Sequence, residues 1–190
     1  MNKDALKKLL TVEDESRRRA VFVALLSGEM VRRGAERPIV VGGEAVELYT
    51  QGRYTTGDID LKGRKETLEA ILAEWGFVRQ GRIWVSKEYG IYIDWLGGSL
   101  DEGAEAENKT NIIALDDENE IRVVSLEDLI IDRLCAAKYW NDQDSLMWSK
   151  NLMEILVRTG GPDRQYLKAR AEKEKVADIL SSILPEEGDK

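Results

Sequence analysis

The chain has 190 residues, of which 28 are basic and 36 acidic, so its formal net charge is −8. This excess of acid disfavours broad binding of duplex DNA, which requires an extended basic surface. Cys135 is the single cysteine and histidine is absent, which excludes an internal disulfide and any cysteine or histidine metal site. A metal would have to be bound by oxygen ligands, as Mg²⁺ or Mn²⁺ is. No signal peptide or membrane-spanning apolar run is visible, which predicts a cytoplasmic protein with no membrane partner.

Helical and extended patterns alternate through the first half of the chain. Apolar residues recur every three or four positions over residues 16–33, which predicts an amphipathic helix that ends at Gly34. The apolar run Ile39-Val40-Val41 predicts a buried strand that stops at Gly42 and Gly43. The patterns that follow predict a helix at about 44–51, a strand at 58–61, a helix over 68–75, a hairpin with strands 77–79 and 82–85, and a strand over 91–95.

The second half changes from strands to helices. Ser125 has the position of an N-cap, with Asp128 in the reciprocating position of a capping box. We predict an α/β fold with a mixed, twisted sheet, a core over residues 1–124, and a C-terminal helical part over 125–190 that packs on the core. The remaining predicted elements are a solvated polar loop at 98–110, strands at about 111–115 and 120–124, and helices interrupted at 139–144 and 160–162.

Three aspartates are the candidate metal ligands. Residues two apart in a strand point to the same face, so Asp58 and Asp60 project together. Asp94 lies in a further predicted strand. Carboxylates on neighbouring strands repel unless cations neutralise them, and such a cluster is what two-metal phosphoryl and nucleotidyl transfer requires. The alternative for the Asp-x-Asp pair alone is a solvated strand end.

The glycine pair is a candidate phosphate site. The helix predicted after Gly42 and Gly43 would direct its free N–H groups and positive dipole end beyond the tip of the strand. Glycines there would let a phosphate approach the backbone closely. The turn and the acidic pair are separated by a short helix, so both can lie at the same end of the sheet.

These motifs resemble the nucleotidyltransferase superfamily of the polymerase-beta type. Val40-Val41-Gly42-Gly43 and Asp58-Ile59-Asp60 are similar to its glycine turn and its acidic strand. The resemblance spans roughly residues 38 to 148 and implies the nucleotidyltransferase fold. Three later segments are similar to small nucleotidyltransferase-like proteins related to the AbiEii and MenA-type toxins: Ser125 to Ile130, Asp132-Arg133-Leu134 and Trp140-Asn141-Asp142-Gln143.

The resemblance implies roles for particular residues. Gly42 and Gly43 would cradle a nucleoside triphosphate, and Asp58, Asp60 and Asp94 would be the catalytic residues and the ligands of Mg²⁺ or Mn²⁺. Further nucleotide-binding positions that it implies are Arg53, Thr56 and Lys138. A base pocket could form at the helix break beside Trp140, which adds Asp142.

The predicted function is metal-dependent transfer of a nucleotide from a nucleoside triphosphate to an unknown hydroxyl on RNA such as a tRNA end, on a protein or on a small molecule. Two alternatives stay open, because a fold does not fix a function. One is a component of a toxin–antitoxin system. The other is a non-catalytic nucleotide-binding or protein-interaction module, which two features favour: Gly43 replaces the serine of many active members, and Glu44 brings a negative charge to the phosphate site.

Several other residues have structural interpretations. Adjacent helical residues face different ways, so Asp132 and Arg133 are expected in surface or interhelical ion pairs. Cys135 is expected to be a small buried apolar residue. The aromatic residues expected in the core rather than as base-stacking platforms are Tyr49, Trp75, Trp84 and Trp148.

Overall fold

The computed structural model describes residues 6–116 and 119–186. The chain divides into two units at the junction between Val124 and Ser125. We call the part before this junction the sheet unit and the part after it the helical unit. Among the described residues, no helix is both long enough and apolar enough to cross a membrane.

The sheet unit is a seven-stranded mixed sheet with helices, as counted over its described residues. A short 3₁₀ turn, Lys8–Thr11, precedes the first helix. The elements are α1 (Glu15–Arg32), β1 (Ile39–Val41), α2 (Gly42–Tyr49), β2 (Ile59–Lys62), α3 (Lys65–Glu74), β3 (Val78–Gln80), β4 (Ile83–Ser86), β5 (Ile91–Gly97), α4 (Ala104–Asn108), β6 (Asn111–Ala114) and β7 (Glu120–Val123).

The strands lie in the order β3-β4-β5-β2-β1-β7-β6. The three central pairs set the candidate site: β1 is antiparallel to β2, whereas β5 runs parallel to β2 and β7 parallel to β1. The register between β2 and β5 shifts once, because Leu61 pairs with Trp95 while the next residue, Lys62, pairs with Gly97. Leu96 is thus an extra residue in β5, which is a β-bulge.

Helix α1 supplies much of the core of the sheet unit. Asp14 caps its first turn by accepting a hydrogen bond from the Arg17 N–H. The Phe22 ring is fully buried and contacts Trp75 edge to face at 5.9 Å and Phe77 at 5.3 Å between ring centroids. These contacts join α1 to the end of α3 and to the chain entering β3, so the helix covers the sheet through aromatic packing.

The helical unit is organised around a buried carboxylate. Its helices are α5 (Leu126–Tyr139), α6 (Gln143–Arg158), α7 (Arg164–Lys173) and α8 (Ala177–Ile183). Asp128, in the first turn of α5, accepts hydrogen bonds from the Ser125 hydroxyl at 2.8 Å, the Tyr166 hydroxyl at 2.8 Å and the Arg170 guanidinium at 2.9 Å. This network joins α5 to α7 inside the unit.

The α/β architecture with a mixed sheet is confirmed, and most element bounds differ from the predicted ones by one to three residues. Ser125 is the N-cap of α5, since its side chain accepts the Asp128 N–H. Trp75 is buried as expected. That the helical part packs on the sheet unit stays a prediction.

Two expectations from the sequence are corrected. The 98–110 segment contains α4, because Ala106 is buried and Glu107 anchors the chain by accepting the Leu100 N–H. Asp58 lies one residue before β2 rather than within it. Asp132 and Arg133 form a surface ion pair as expected, and they form it with each other at 2.5 Å.

Candidate functional site

The glycine turn and the acidic strand interlock. Val41, the last residue of β1, pairs with Asp60 of β2. Helix α2 begins directly at Gly42 without a side-chain cap, so its first N–H groups are open to an external acceptor. Gly42 has φ +60°, and a β-carbon added to it would overlap Asp60 Oδ2. Only glycine therefore fits between the strand and this carboxylate.

The strand register brings a second aspartate to the same level. Asp60 pairs with Asp94 across the parallel strands β2 and β5. Asp94 is 2% exposed, and its Oδ2 forms an ion pair with the Arg82 Nε at 2.9 Å. Its Oδ1 is buried and has no hydrogen-bond partner in the described structure. A buried carboxylate oxygen without a donor is costly, so this atom is a candidate ligand atom.

Thr56 connects the third aspartate to the glycine turn. The Thr56 hydroxyl lies 3.3 Å from Asp58 Oδ1. The same hydroxyl oxygen lies 2.8 Å from the place that a β-carbon on Gly43 would occupy. Thr56 thus puts a hydroxyl beside Gly43.

A buried ion network lies behind the turn. Arg19 of α1 donates from Nε to Glu44 at 2.8 Å and from its terminal nitrogen to Glu47 at 2.5 Å. Glu47 in turn accepts the backbone N–H of Thr56 at 2.9 Å. The network therefore holds the segment that delivers Asp58 against helix α2.

Glu44 carries an unusual carboxyl group. Its side chain is fully buried, and its Oε1 has no hydrogen-bond partner among the described residues. Burial raises the pKa of Glu44 to about 7, the Arg19 guanidinium opposes this rise, and the negative charges of Glu47 and Asp58 add to it. Glu44 thus points into this network, and its charge and that of Asp58 repel each other.

The donor set suits a hard divalent cation, although the side chains are not gathered around one point. Asp58, Asp60 and Asp94 offer carboxylate oxygens, which Mg²⁺ and Mn²⁺ prefer. Within residues 6–116 and 119–186, no group of three or more acidic, histidine or cysteine side chains is arranged to hold a metal ion. Arg82 occupies one oxygen of Asp94 instead.

The other predicted nucleotide-binding residues lie in different settings. Arg53 is exposed in the turn before Asp58. In the helical unit, the Lys138 amine binds the Lys175 carbonyl at 2.5 Å and lies 3.2 Å from Asp178. Asp142 is the N-cap of α6, and its bonds to Ser145 lower its pKa. Their roles toward a nucleotide stay predictions.

Sequence reasoning missed Arg19, Glu47 and Arg82. Arg19 falls within an amphipathic helix and pairs with residues 25 and 28 positions away, so no local pattern reveals it. Glu44 and Glu47 could have been recognised as a pair, because they stand three positions apart on an otherwise apolar short helix and must share a face. Arg82 stands one residue before Ile83, which pairs with Asp94, so the register between β4 and β5 brings Arg82 to Asp94, and this register was not predicted.

The fold is that of nucleotidyltransferases. The chain is similar to a crystal structure of ANT(2'')-Ia in complex with adenylyl-2''-tobramycin, with a TM-score of 0.54 and 19% identity over 83% of this chain and 97% of that one. A solution structure of ANT(2'')-Ia is also similar, with a TM-score of 0.52 and 19% identity over 86% of this chain and 95% of that one.

A third similar structure is an antigenic nucleotidyltransferase-like protein from Paracoccidioides brasiliensis, with a TM-score of 0.50 and 13% identity over 86% of this chain and 90% of that one. No protein-family model and no curated protein sequence matches the chain. The finer resemblance to AbiEii-type and MenA-type proteins stays a prediction.

Proposed function

We propose that this protein transfers a nucleotide from a nucleoside triphosphate to a hydroxyl acceptor, with Mg²⁺ or Mn²⁺ as cofactor. The observation that carries the proposal is the interlock of Gly42 with Asp60, together with the pairing of Asp60 with Asp94. An open helix start and carboxylates on two neighbouring strands at one end of the sheet can bind a triphosphate and its cations together.

Particular groups of the chain have defined tasks in this reaction. The N–H groups after Gly42 and the Thr56 hydroxyl would bind phosphate oxygens, and Arg53 would neutralise them in part. Asp58, Asp60 and Asp94 would hold the divalent cation. When bound, the cation would polarise the phosphate and stabilise the charge of the leaving pyrophosphate. Asp94 would have to exchange Arg82 for the cation, and the exposed side chain of Arg82 is free to move into solvent.

The acceptor is proposed to be a small molecule bearing a hydroxyl group. ANT(2'')-Ia is similar to this chain over most of its length and was crystallised with adenylyl-2''-tobramycin. RNA, a protein hydroxyl and a toxin–antitoxin role remain alternatives that an unbiased acceptor screen would reveal.

The test uses each labelled nucleoside triphosphate with Mg²⁺ and separate pools of small molecules, RNA and protein. We expect label to move to one pool with the wild type and not with an Asp58→Asn/Asp60→Asn variant, which keeps the shape but removes the ligand charges. Asp132→Asn/Asp144→Asn is the matched control, because both aspartates are exposed in the helical unit. Equal transfer by the two double variants would contradict the proposal.

A non-catalytic nucleotide-binding module is the second candidate function. The ion pair between Arg82 and Asp94 favours it, since a permanent pair would leave no room for a cation. Titration of Mn²⁺ separates the two functions. The enzyme requires Mn²⁺ binding that the Asp58→Asn/Asp60→Asn variant loses, whereas the module predicts equal, negligible binding by both proteins.

A further inference from the structure

A cavity lies at the end of the central strands opposite the carboxylates. It has a volume of about 700 Å³ and is open to solvent. Arg122 and Lys62 lie at the level of Ile39, where β1 begins, whereas Asp60 lies at the level of Val41, where β1 ends. No residue of the carboxylate site is among the described residues that line this cavity.

Cationic groups dominate the lining in a chain whose overall charge is negative. Among the described lining residues, the cations are Arg37, Lys62, Arg64, Lys65 and Arg122, and the acids are Glu36, Glu66 and Glu107. A local positive surface against a net charge of −8 does not follow from composition. We call this the cationic cavity.

Lys62 is the buried member of the set. It is 6% exposed, yet its amine pairs at 2.5 Å with Asp101, whose side chain is 91% exposed. Burial of an ammonium group costs free energy unless an anion accompanies it. A surface carboxylate on a loop can leave, so an anionic ligand can take its place beside Lys62.

Two neighbouring cations have no carboxylate partner. Arg64 makes no ion pair or side-chain hydrogen bond with the described residues. The Lys65 amine lies 4.9 Å from the centre of the Trp95 ring. Both stand at the start of α3, which has no side-chain cap, so its first N–H groups add to the positive field. The indole N–H of Trp95 bonds to the Gly63 carbonyl and fixes the ring.

Two of the three acids among the described lining residues are engaged, and one of them neutralises a cation of the cavity itself. Glu36 pairs with Arg122 at 2.9 Å, and Glu107 accepts the Leu100 N–H at 3.0 Å. Glu66 lies in the first turn of α3 and is exposed. Arg64 and Lys65 are thus cations without a carboxylate partner among the described residues, and the counter-ion of Lys62 is an exposed aspartate that a ligand can displace.

We infer that the cationic cavity is a binding site for a ligand with a diphosphate group. Several cations spread around a cavity larger than one phosphate favour a multiply charged, extended anion. Free pyrophosphate and a nucleoside diphosphate share this chemistry, and the fixed ring of Trp95 offers the latter a stacking surface. This site is independent of the proposed function, since it uses none of the carboxylates.

The test is calorimetric titration of pyrophosphate, ADP and inorganic phosphate in buffer with EDTA, where the carboxylates repel phosphates. We expect the wild type to bind one pyrophosphate, and Arg64→Gln/Lys65→Gln to bind at least about tenfold more weakly, the loss of one charge-assisted contact or more. Tighter binding of ADP than of pyrophosphate would assign the ligand as a nucleotide.

Two control variants test whether the weakening is specific to the cationic cavity. Lys87→Gln/Lys168→Gln removes the same charge from exposed positions outside the cavity and should bind as the wild type does. Asp58→Asn/Asp60→Asn should also bind pyrophosphate in EDTA, which separates this site from the proposed active site. Absence of binding by the wild type would overturn the inference. So would equal weakening by Lys87→Gln/Lys168→Gln, or unchanged binding by Arg64→Gln/Lys65→Gln. Lys62→Gln provides a second variant with the same expected weakening.

Discussion

Each unit of the protein buries one arginine among carboxylates, and the two networks differ in how completely they are satisfied. In the helical unit, Asp128 has donors on both oxygens from Ser125, Tyr166 and Arg170. In the sheet unit, Arg19 serves two glutamates, and Glu44 keeps one buried oxygen without a donor. Each arginine pairs with two carboxylates, but in the first network the second of them, Glu174, is 38% exposed, whereas in the second network both glutamates are buried and add negative charge close to Asp58.

The difference separates a structural network from one that supports a site. A satisfied buried ion pair holds elements together, and removal of either partner leaves an unpaired charge. An over-acidic network is a stability cost, which a fold retains where another requirement outweighs it. The location of Glu44 and Glu47 behind the glycine turn and before Asp58 is consistent with such a requirement.

The largest effect is expected from a substitution that breaks the Asp128 network. Arg170→Ala leaves the Asp128 carboxylate buried with only hydroxyl partners, so the free energy of unfolding should fall by about 3–5 kcal/mol. Urea denaturation followed by circular dichroism measures it. Arg158→Ala is the matched control, because its pair with Glu154 is exposed on both sides and should be worth at most about 1 kcal/mol. Equal losses would show that Asp128 is not the centre of the helical unit.

The next effect relieves the over-acidic network. The Glu44 pKa is about 7 in the folded chain against 4.5 as its ordinary value, so the folded state holds the proton more tightly. Stability is therefore lost as pH rises from 4.5 to 7, by about 3 kcal/mol at most, since one pKa unit is about 1.4 kcal/mol. Glu44→Gln keeps an acceptor for Arg19 without the charge and should lack this loss.

The measurement is the urea midpoint of wild type and Glu44→Gln from pH 5 to pH 8 in EDTA. The urea midpoint of the wild type should fall relative to that of Glu44→Gln as pH rises. Parallel curves for the two proteins would mean that Glu44 does not titrate in this range, and the two networks would then be alike.

The smallest effect trims the satisfied network at its edge. Ser125→Ala removes the N-cap of α5 and one donor to Asp128, while Tyr166 and Arg170 remain, so the cost should be about 1 kcal/mol. Ser181→Ala, at an exposed position of α8, is the control and should be neutral. Both effects are measured as the difference in melting temperature between each variant and the wild type. A loss as large as that of Arg170→Ala would contradict the ranking of the two partners and show that the Ser125 hydroxyl contributes as much to the network as the arginine does.

The predictable part of the fold came from residues with local rules. Side-chain period and positive φ are properties of a few consecutive residues, so short segments predict their own conformation. Examples are the strand that begins at Ile39, the turn at the glycines after Val41 and the helix that contains Leu72. The same rules placed Asp58 and Asp60 near each other and near the glycine turn. Ser125 was recognisable as a helix start for the same reason.

The unpredicted part depends on residues that meet only after folding. Arg19 reaches Glu44 and Glu47 across the sheet unit, and Arg82 reaches Asp94 through a hairpin register. The buried state of Asp128 requires Tyr166 and Arg170, about forty positions later. Long-range pairs of charged residues leave no periodic trace in a single sequence, so their partners could not be assigned from it.

The extra residue in β5 has a consequence for how the chain can vary in length. A strand without a bulge transmits a one-residue insertion to every later side chain, because each would turn to the opposite face. Here the pairing after Trp95 is already reset at Gly97, beyond the level of Asp94. Insertions or deletions between Gly97 and the start of α4 lie beyond both Asp94 and this reset, so they should reshape the cationic cavity at Gly98 and Ser99 while Asp94 keeps its orientation, and the two ends of the sheet can diverge separately.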